Sequence, residues 1–170
     1  MKISVAMAFS QHTAAGFIKD AVQLVEAKGV HGIWVPEHVL FFPEYASTYP
    51  YSDNGRIPGN PEGILDPFTA LTFIAAHTQR VRLGTGICLV PQRQPVYTAK
   101  MVADVDYLSG GRVDFGVGIG WLKEEFENLG FNESVIHTDI VSTKDRVATA
   151  TLVDGREVVI YKDGEFTFEK

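Results

Sequence analysis

Cysteine is almost missing from this 170-residue sequence; Cys88 is the single one, so no internal disulfide can form. It sits in the apolar run VRLGTGICLV, where a small buried hydrophobe is the simpler reading, and a reducing cytosol fits. Long apolar runs are missing too. No stretch reaches the roughly 18 residues of a membrane span, and MKISVAMAFS is too short an apolar run for a secretory leader. The expectation is a cytoplasmic protein. Positive charge is in deficit, with 15 Lys plus Arg against 21 Asp plus Glu and a net charge of −6. That balance repels phosphate backbones and anionic lipid surfaces, which argues against nucleic-acid and membrane partners. Low-complexity segments and internal repeats are likewise absent.

What is present describes an ordinary folded chain. Apolar residues make up 45% and charged residues 21%, enough of the former for a core. The order of patterns is β, α, β, then α, β, α, β. Lys2 to Phe9 alternates as a strand. A helix follows, capped by Thr13, with Phe17, Ala21, Leu24 and Val25 as its apolar face and Gly29 at its end. Gly32 to Pro36 is a second strand. Residues 39 to 64 hold four prolines, three glycines and five aromatic residues, which reads as a packed lid loop. Asp66-Pro67 starts a second helix with Phe68, Leu71 and Ala75 buried. Val81 to Val90 is a third, fully covered strand. A third helix from Pro95 to Leu108 buries Met101, Val105 and Leu108 and stops at Gly110-Gly111. Arg112 to Ile119 is a fourth strand, running into a short helix that ends at Gly130. This alternation predicts a parallel α/β sheet, either doubly wound or part of a (β/α)8 barrel. From Val147 onward the chain alternates polar and apolar around Asp154-Gly155 and Asp163-Gly164, the pattern of an antiparallel hairpin or meander.

The stretch GRVDFGVGIGW invites a dinucleotide reading and fails it. A third glycine belongs three residues after the second, and those places hold Trp121 or Lys123 depending on register. Asp139, at a suitable distance for the acidic partner, lies in no clear strand. Glycines at alternate positions clear one face of a strand. Gly84 and Gly86 repeat the spacing in the preceding strand. Two readings stay open: a floor for a planar ring at the C-terminal strand ends, or glycines that serve strand packing and bulges.

Four segments together, WVPEHV, the Tyr-Pro-Tyr of the long loop, DPFTALTFIAAHTQRVRLGTGICLVPQRQPVYTAK and DYLSGGRVDFGVGIGWLKEEFENLG, resemble the luciferase-like monooxygenase superfamily, especially its deazaflavin (coenzyme F-420)-dependent oxidoreductases. The resemblance covers about residues 1–131. It implies a (β/α)8 TIM barrel and hydride transfer to or from a flavin or deazaflavin, with FMN or coenzyme F-420 as cofactor, on a small organic substrate. It implies a bulge, often with a non-proline cis peptide, at Gly86-Ile87, and it places Gly86, Ile87, Gly118, Ile119, Gly120 and Trp121 beside the ring. Where some deazaflavin sugar-phosphate dehydrogenases have an acid, this chain has Trp121, so that proton-transfer role is not carried over. His38 matches a polar residue near the ring and is the catalytic candidate, able to donate a proton near neutral pH. Taken without the resemblance, it could equally hold the long loop.

The remaining charged residues have simpler readings. Glu37 faces away from His38, and the other histidines lack ligand spacing, so no metal site is expected. Lys123, Glu124 and Glu125 read as the solvated face of a short helix. Arg80 and Arg82 fall at the far end of their strand and read as surface-solvated, while Arg93, which follows the strand, stays open as a partner for an anionic cofactor tail.

A complete barrel takes at least roughly 200 residues. Residues 1–131 therefore supply about four βα units, and 132–170 a short β tail. Open edges of such a half barrel need cover, which points to a homodimer or higher self-association, with the tail over one edge. The alternative function is a shortened, non-catalytic barrel relative that binds flavin weakly or serves in assembly.

Overall fold

The computed structural model describes residues 1–57 and 63–131, together with three strands at 146–151, 157–161 and 166–169. Four strands form one parallel sheet: β1 (Ser4–Ala6), β2 (Gly32–Val35), β3 (Arg82–Thr85) and β5 (Val113–Asp114), in the order β1-β2-β3-β5. Two further short strands, β4 (Cys88–Leu89) and β6 (Val117–Gly118), pair parallel beyond them. The helices are α1 (Ala15–Ala27), α2 (Pro67–His77), α3 (Pro95–Ser109) and α4 (Lys123–Asn128). Sequential strand order with a helix between neighbours is the pattern of consecutive βα units.

The core lies between the sheet and the first three helices. Ile33, Val35, Leu83 and Val113 from the strands meet Val22 of α1, Leu71 and Ile74 of α2, and Val102 of α3. Burying each such side chain contributes about 1.5–3 kcal/mol. Because strand side chains alternate, Gly32, Trp34, Arg82, Gly84 and Asp114 take the opposite face. In register they form two rows across the sheet, Ser4 beside Gly32 beside Arg82, and Ala6 beside Trp34 beside Gly84 beside Asp114. One face of the sheet is therefore aliphatic, and the other small, polar and aromatic.

Local signals explain most element ends. Asp66 accepts from the Thr69 amide at 2.9 Å ahead of Pro67, and Gln94 does the same for Tyr97 ahead of Pro95. Gly110 closes α3 with φ of 73°, a conformation that favours glycine. Thr13 does not cap α1; its hydroxyl accepts from the Ser10 amide, and the helix starts after Ala14 without a side-chain cap. The face of α1 is also rotated by one position, with Ile18 and Val22 buried and Phe17 and Leu24 exposed. In α3, Val102 and Val105 are buried while Leu108 is exposed.

The third and fourth predicted strands are each broken in two. The Gly86-Ile87 peptide is cis, as the resemblance implied, and separates β3 from β4. The other break, at Phe115 and Gly116, lies directly alongside. Thr85 ties the two together, its hydroxyl donating to the Gly116 carbonyl at 2.6 Å and accepting from the Gly116 amide at 3.0 Å. Paired breaks keep the two strands in step, β3 with β5 before them and β4 with β6 after.

The strands β7 (Arg146–Thr151), β8 (Glu157–Tyr161) and β9 (Phe166–Glu169) form a separate sheet with antiparallel pairing. They add no strand to either edge of the parallel sheet. Asp139 and both Asp-Gly pairs lie outside the described residues. Among the described residues, no helix is long and apolar enough to cross a membrane.

Candidate functional site

At the C-terminal ends of the strands the glycines do something other than leave bare backbone. A Cβ on Gly84 would stand 2.4 Å from the Trp34 indole, and one on Gly116 would stand 2.3 Å from the Thr85 carbonyl and 2.9 Å from the same indole. Gly86 borders that ring as well. The flat body lying on these glycines is the protein's own Trp34. Likewise a Cβ on Gly118 would fall 2.0 Å from Ile87 Cδ1, so the absent side chain makes the seat for Ile87. The bare-shelf reading is thus corrected: the glycines admit Trp34 and Ile87, and those side chains form the surface. Gly120, with φ of 85°, packs close to Leu89 and Phe126. Beyond them Ile87, Val117 and Ile119 stay partly exposed, at 37%, 37% and 46%. These three side chains leave apolar area exposed near the strand ends.

His38 stands at the end of β2 in contact with Trp121. Its Nδ1 is 2.9 Å from Glu125 Oε2, the Trp121 Nε1–H donates to its Nε2 at 3.3 Å, and Phe41 packs on the ring at 4.7 Å. The structure therefore brings together His38 with Trp121, and Ile87 with Gly118.

Sequence reasoning missed the acids of α4. Glu125 is fully buried, not solvated. Its Oε1 accepts from the amides of Val39 at 2.5 Å and Leu40 at 3.0 Å. Glu124 accepts from the amides of Ala46 at 2.6 Å and Ser47 at 3.1 Å and from the Ser47 hydroxyl at 2.7 Å. Partial burial opposes the charge on Glu124, but the Ser47 hydroxyl and these amides outweigh it and hold the carboxyl down at about 2. Ser47 Oγ in turn accepts from the Lys123 amide, one of the free amides that open α4. The long loop is thereby fastened to α4 at both 38–40 and 46–47. Its aromatic residues close over Trp121, with Tyr45 at 5.5 Å and Tyr49 at 5.1 Å, both edge-on.

Glu37 faces the other way, as alternation requires. It is buried, accepts from the Leu89 amide at 2.6 Å and pairs with Arg93. Arg93 also bonds Asp66 Oδ2 at 2.6 Å and lies over the Phe68 ring. Desolvation works against its charge, yet Glu37 and Asp66 raise its pKa above the ordinary value. Arg93 is consumed by these partners, so it is not the free cation expected for a cofactor tail. Arg82 is likewise no solvated side chain; it pairs with Asp114 and donates to the carbonyls of Gly111 and Val113. Cys88 is buried, and burial together with the neighbouring Glu37 charge raises its thiol pKa.

The open cluster fits the apolar face of a flavin-like ring. Near Gly120, Gln92 is 9% exposed, donates to Glu125 through Nε2, and has a buried Oε1 without a partner. An unfilled buried acceptor suits a ligand that donates.

The parallel α/β sheet carries its glycines, the long loop and its broken strands at the C-terminal edge, an arrangement that can be compared with known proteins. The family model for luciferase-like monooxygenases matches residues 1–142, and the chain belongs to that family. An uncharacterised protein of Mycobacterium tuberculosis is 34% identical over 111 residues, 65% of this chain and 39% of that protein. The oxygenase component of the flavin-dependent trigonelline monooxygenase of Acinetobacter baylyi is 30% identical over 110 residues, 65% of this chain and 26% of that one. The chain thus spans well under half the length of these relatives. Among solved structures, the monooxygenase RslO1 of Streptomyces bottropensis superposes with a TM-score of 0.58 at 27% identity, covering 79% of this chain and 38% of that one. The coenzyme F-420-dependent tetrahydromethanopterin reductase of Methanopyrus kandleri gives 0.55 at 22%, with 78% and 30% covered. The oxygenating constituent of 3,6-diketocamphane monooxygenase from Pseudomonas putida, in complex with FMN, gives 0.58 at 15%, with 78% and 33% covered. The last two share the fold.

Proposed function

We propose that this chain forms the first half of a (β/α)8 barrel in a flavin- or deazaflavin-dependent oxidoreductase acting on a small organic substrate, with FMN or coenzyme F-420 as cofactor. When bound, the cofactor supplies hydride chemistry. Gly86, Ile87, Gly118, Ile119, Gly120 and Trp121 border the ring, and His38 handles a proton at its edge. The observation that carries this reading is the seating of Ile87 over Gly118, which joins the ends of two neighbouring strands in a member of the luciferase-like family. Family membership and the flavin and deazaflavin chemistry in the relatives' names support it. The loop from Val39 to Ile57 would cover the ring's edge at Trp121 with Tyr45 and Tyr49.

In this reading residues 1–131 are the barrel half and 132–170 a β tail. The edge strands β1 and β5 then pair with further barrel strands or with a second copy, giving a homodimer or larger assembly. Sedimentation as a monomer at micromolar concentration would count against self-association.

The test is titration with FMN and with coenzyme F-420, following cofactor fluorescence. Saturable quenching by one of them, abolished in Ile87→Arg, is the expected result. No quenching by either at saturating concentration would refute the reading.

A further inference from the structure

We infer that Glu125 is a positioning residue that fixes which nitrogen of His38 carries the proton, and that it fastens the start of the lid with the same carboxylate. The inference deepens the proposed role of His38 and rests on it. Glu125 Oε1 accepts from the amides of Val39 and Leu40, at 2.5 and 3.0 Å, and Oε2 meets His38 Nδ1 at 2.9 Å and Gln92 Nε2 at 3.4 Å. A carboxylate only accepts, so the hydrogen between it and the imidazole belongs to Nδ1. The indole N–H of Trp121 only donates, and it meets Nε2 at 3.3 Å. Neighbours on opposite sides of the ring thus require the same tautomer, with Nδ1 protonated and Nε2 bare.

This assignment changes what His38 can do. In its neutral state the ring offers a lone pair, not a proton, on the side of Trp121. A proton released by substrate goes to Nε2 once the indole N–H moves aside, and the ring becomes imidazolium while Nδ1–H stays on Glu125. The sequence-based expectation of a resting proton donor is replaced by a resting proton acceptor. Since one carboxylate holds both the ring and the amides of Val39 and Leu40, loop opening and loss of the tautomer are a single event.

Histidine-labelled protein in two-bond proton–nitrogen correlation spectra tests this at a pH of about 8, above the ordinary histidine range. The expected spectrum shows His38 protonated at Nδ1. In Glu125→Gln combined with Trp121→Phe the amide carbonyl keeps Val39 and Leu40, its NH2 faces Nδ1 and the indole donor to Nε2 is gone, so the proton moves to Nε2. In Trp121→Phe the carboxylate is intact and the proton stays on Nδ1. A proton on Nε2 in the unaltered protein, or a switch in Trp121→Phe, overturns the inference, and both measurements stand even if the double variant does not fold. An unchanged tautomer in a folded Glu125→Gln/Trp121→Phe double variant overturns it as well. None of these spectra needs a cofactor, so failure of FMN and F-420 to bind would sink the proposed function and leave the tautomer assignment standing.

Discussion

The two ends of the parallel sheet are held together by different chemistry, apart from Glu26, a carboxylate on the amides of Gln79, Arg80 and Val81 at the N-terminal end. At the N-terminal end of the strands, cations grip carbonyls: Arg112 donates to the carbonyls of Ala75, Thr78, Val81 and Ser109, and Arg82 to those of Gly111 and Val113. At the C-terminal end, carboxylates grip amides: Glu37 holds Leu89, Glu125 holds Val39 and Leu40, and Glu124 holds Ala46 and Ser47. The arginines join strands and helices of the packed body. Glu124 and Glu125 instead reach a loop with little regular structure of its own. One end therefore secures the fold, and the other holds a cover over the site.

That contrast gives a ranked set of outcomes. Removing Arg112 leaves several carbonyls and the buried Thr78 hydroxyl without a donor, so Arg112→Ala should cost about 3 kcal/mol of global stability, read as a lower urea midpoint. Glu125→Ala should cost about 1–2 kcal/mol globally and raise hydrogen exchange at Val39 and Leu40 by about tenfold, because it frees the loop first. Equal loss of protection throughout the sheet in that variant would erase the distinction between the two ends.

Acid should act on the two ends through different groups. Glu124 has its folded pKa depressed to about 2, so its hold on the loop is complete above the ordinary glutamate range and is lost as pH falls through about 2. Glu26, at the N-terminal end, opposes its own desolvation by accepting from the amides of Arg80, Val81 and Gln79, which lowers its pKa too. The resonances of Ala46 and Ser47 should therefore shift in this acid window, and Glu124→Gln should remove that step while leaving acid unfolding of the body in place. The smallest effect concerns Cys88, whose burial and raised pKa predict no reaction with thiol reagents in the folded protein.

Features set by neighbouring residues were legible in the sequence. Asp66-Pro67 starts a helix and Gly110 ends one, because each depends on a few adjacent side chains, whereas the break at LGTGI was implied by the family resemblance and the residue pattern alone read one continuous strand. The buried phase of α1 was not legible, since Phe17, Ala21 and Leu24 satisfy helical spacing as well as Ile18 and Val22 do. Only the sheet decides between them. Trp34 over Gly84 follows from the parallel register, which no single segment contains. Glu125 reads as solvated because its partners at 38–40 are more than 80 positions away in the chain. One signal was available: two adjacent acids beginning a short helix just after the glycine-rich strand, opposite a long loop rich in amides without regular partners.

The most direct measurement of the central claim uses the isoleucine methyls of the apolar surface. Addition of FMN or coenzyme F-420 to methyl-labelled protein should produce ring-current shifts at Ile87 and Ile119, at the strand ends, and none at Ile33 in the core. Saturating amounts of both cofactors with the Ile87 and Ile119 methyls unmoved would contradict the account.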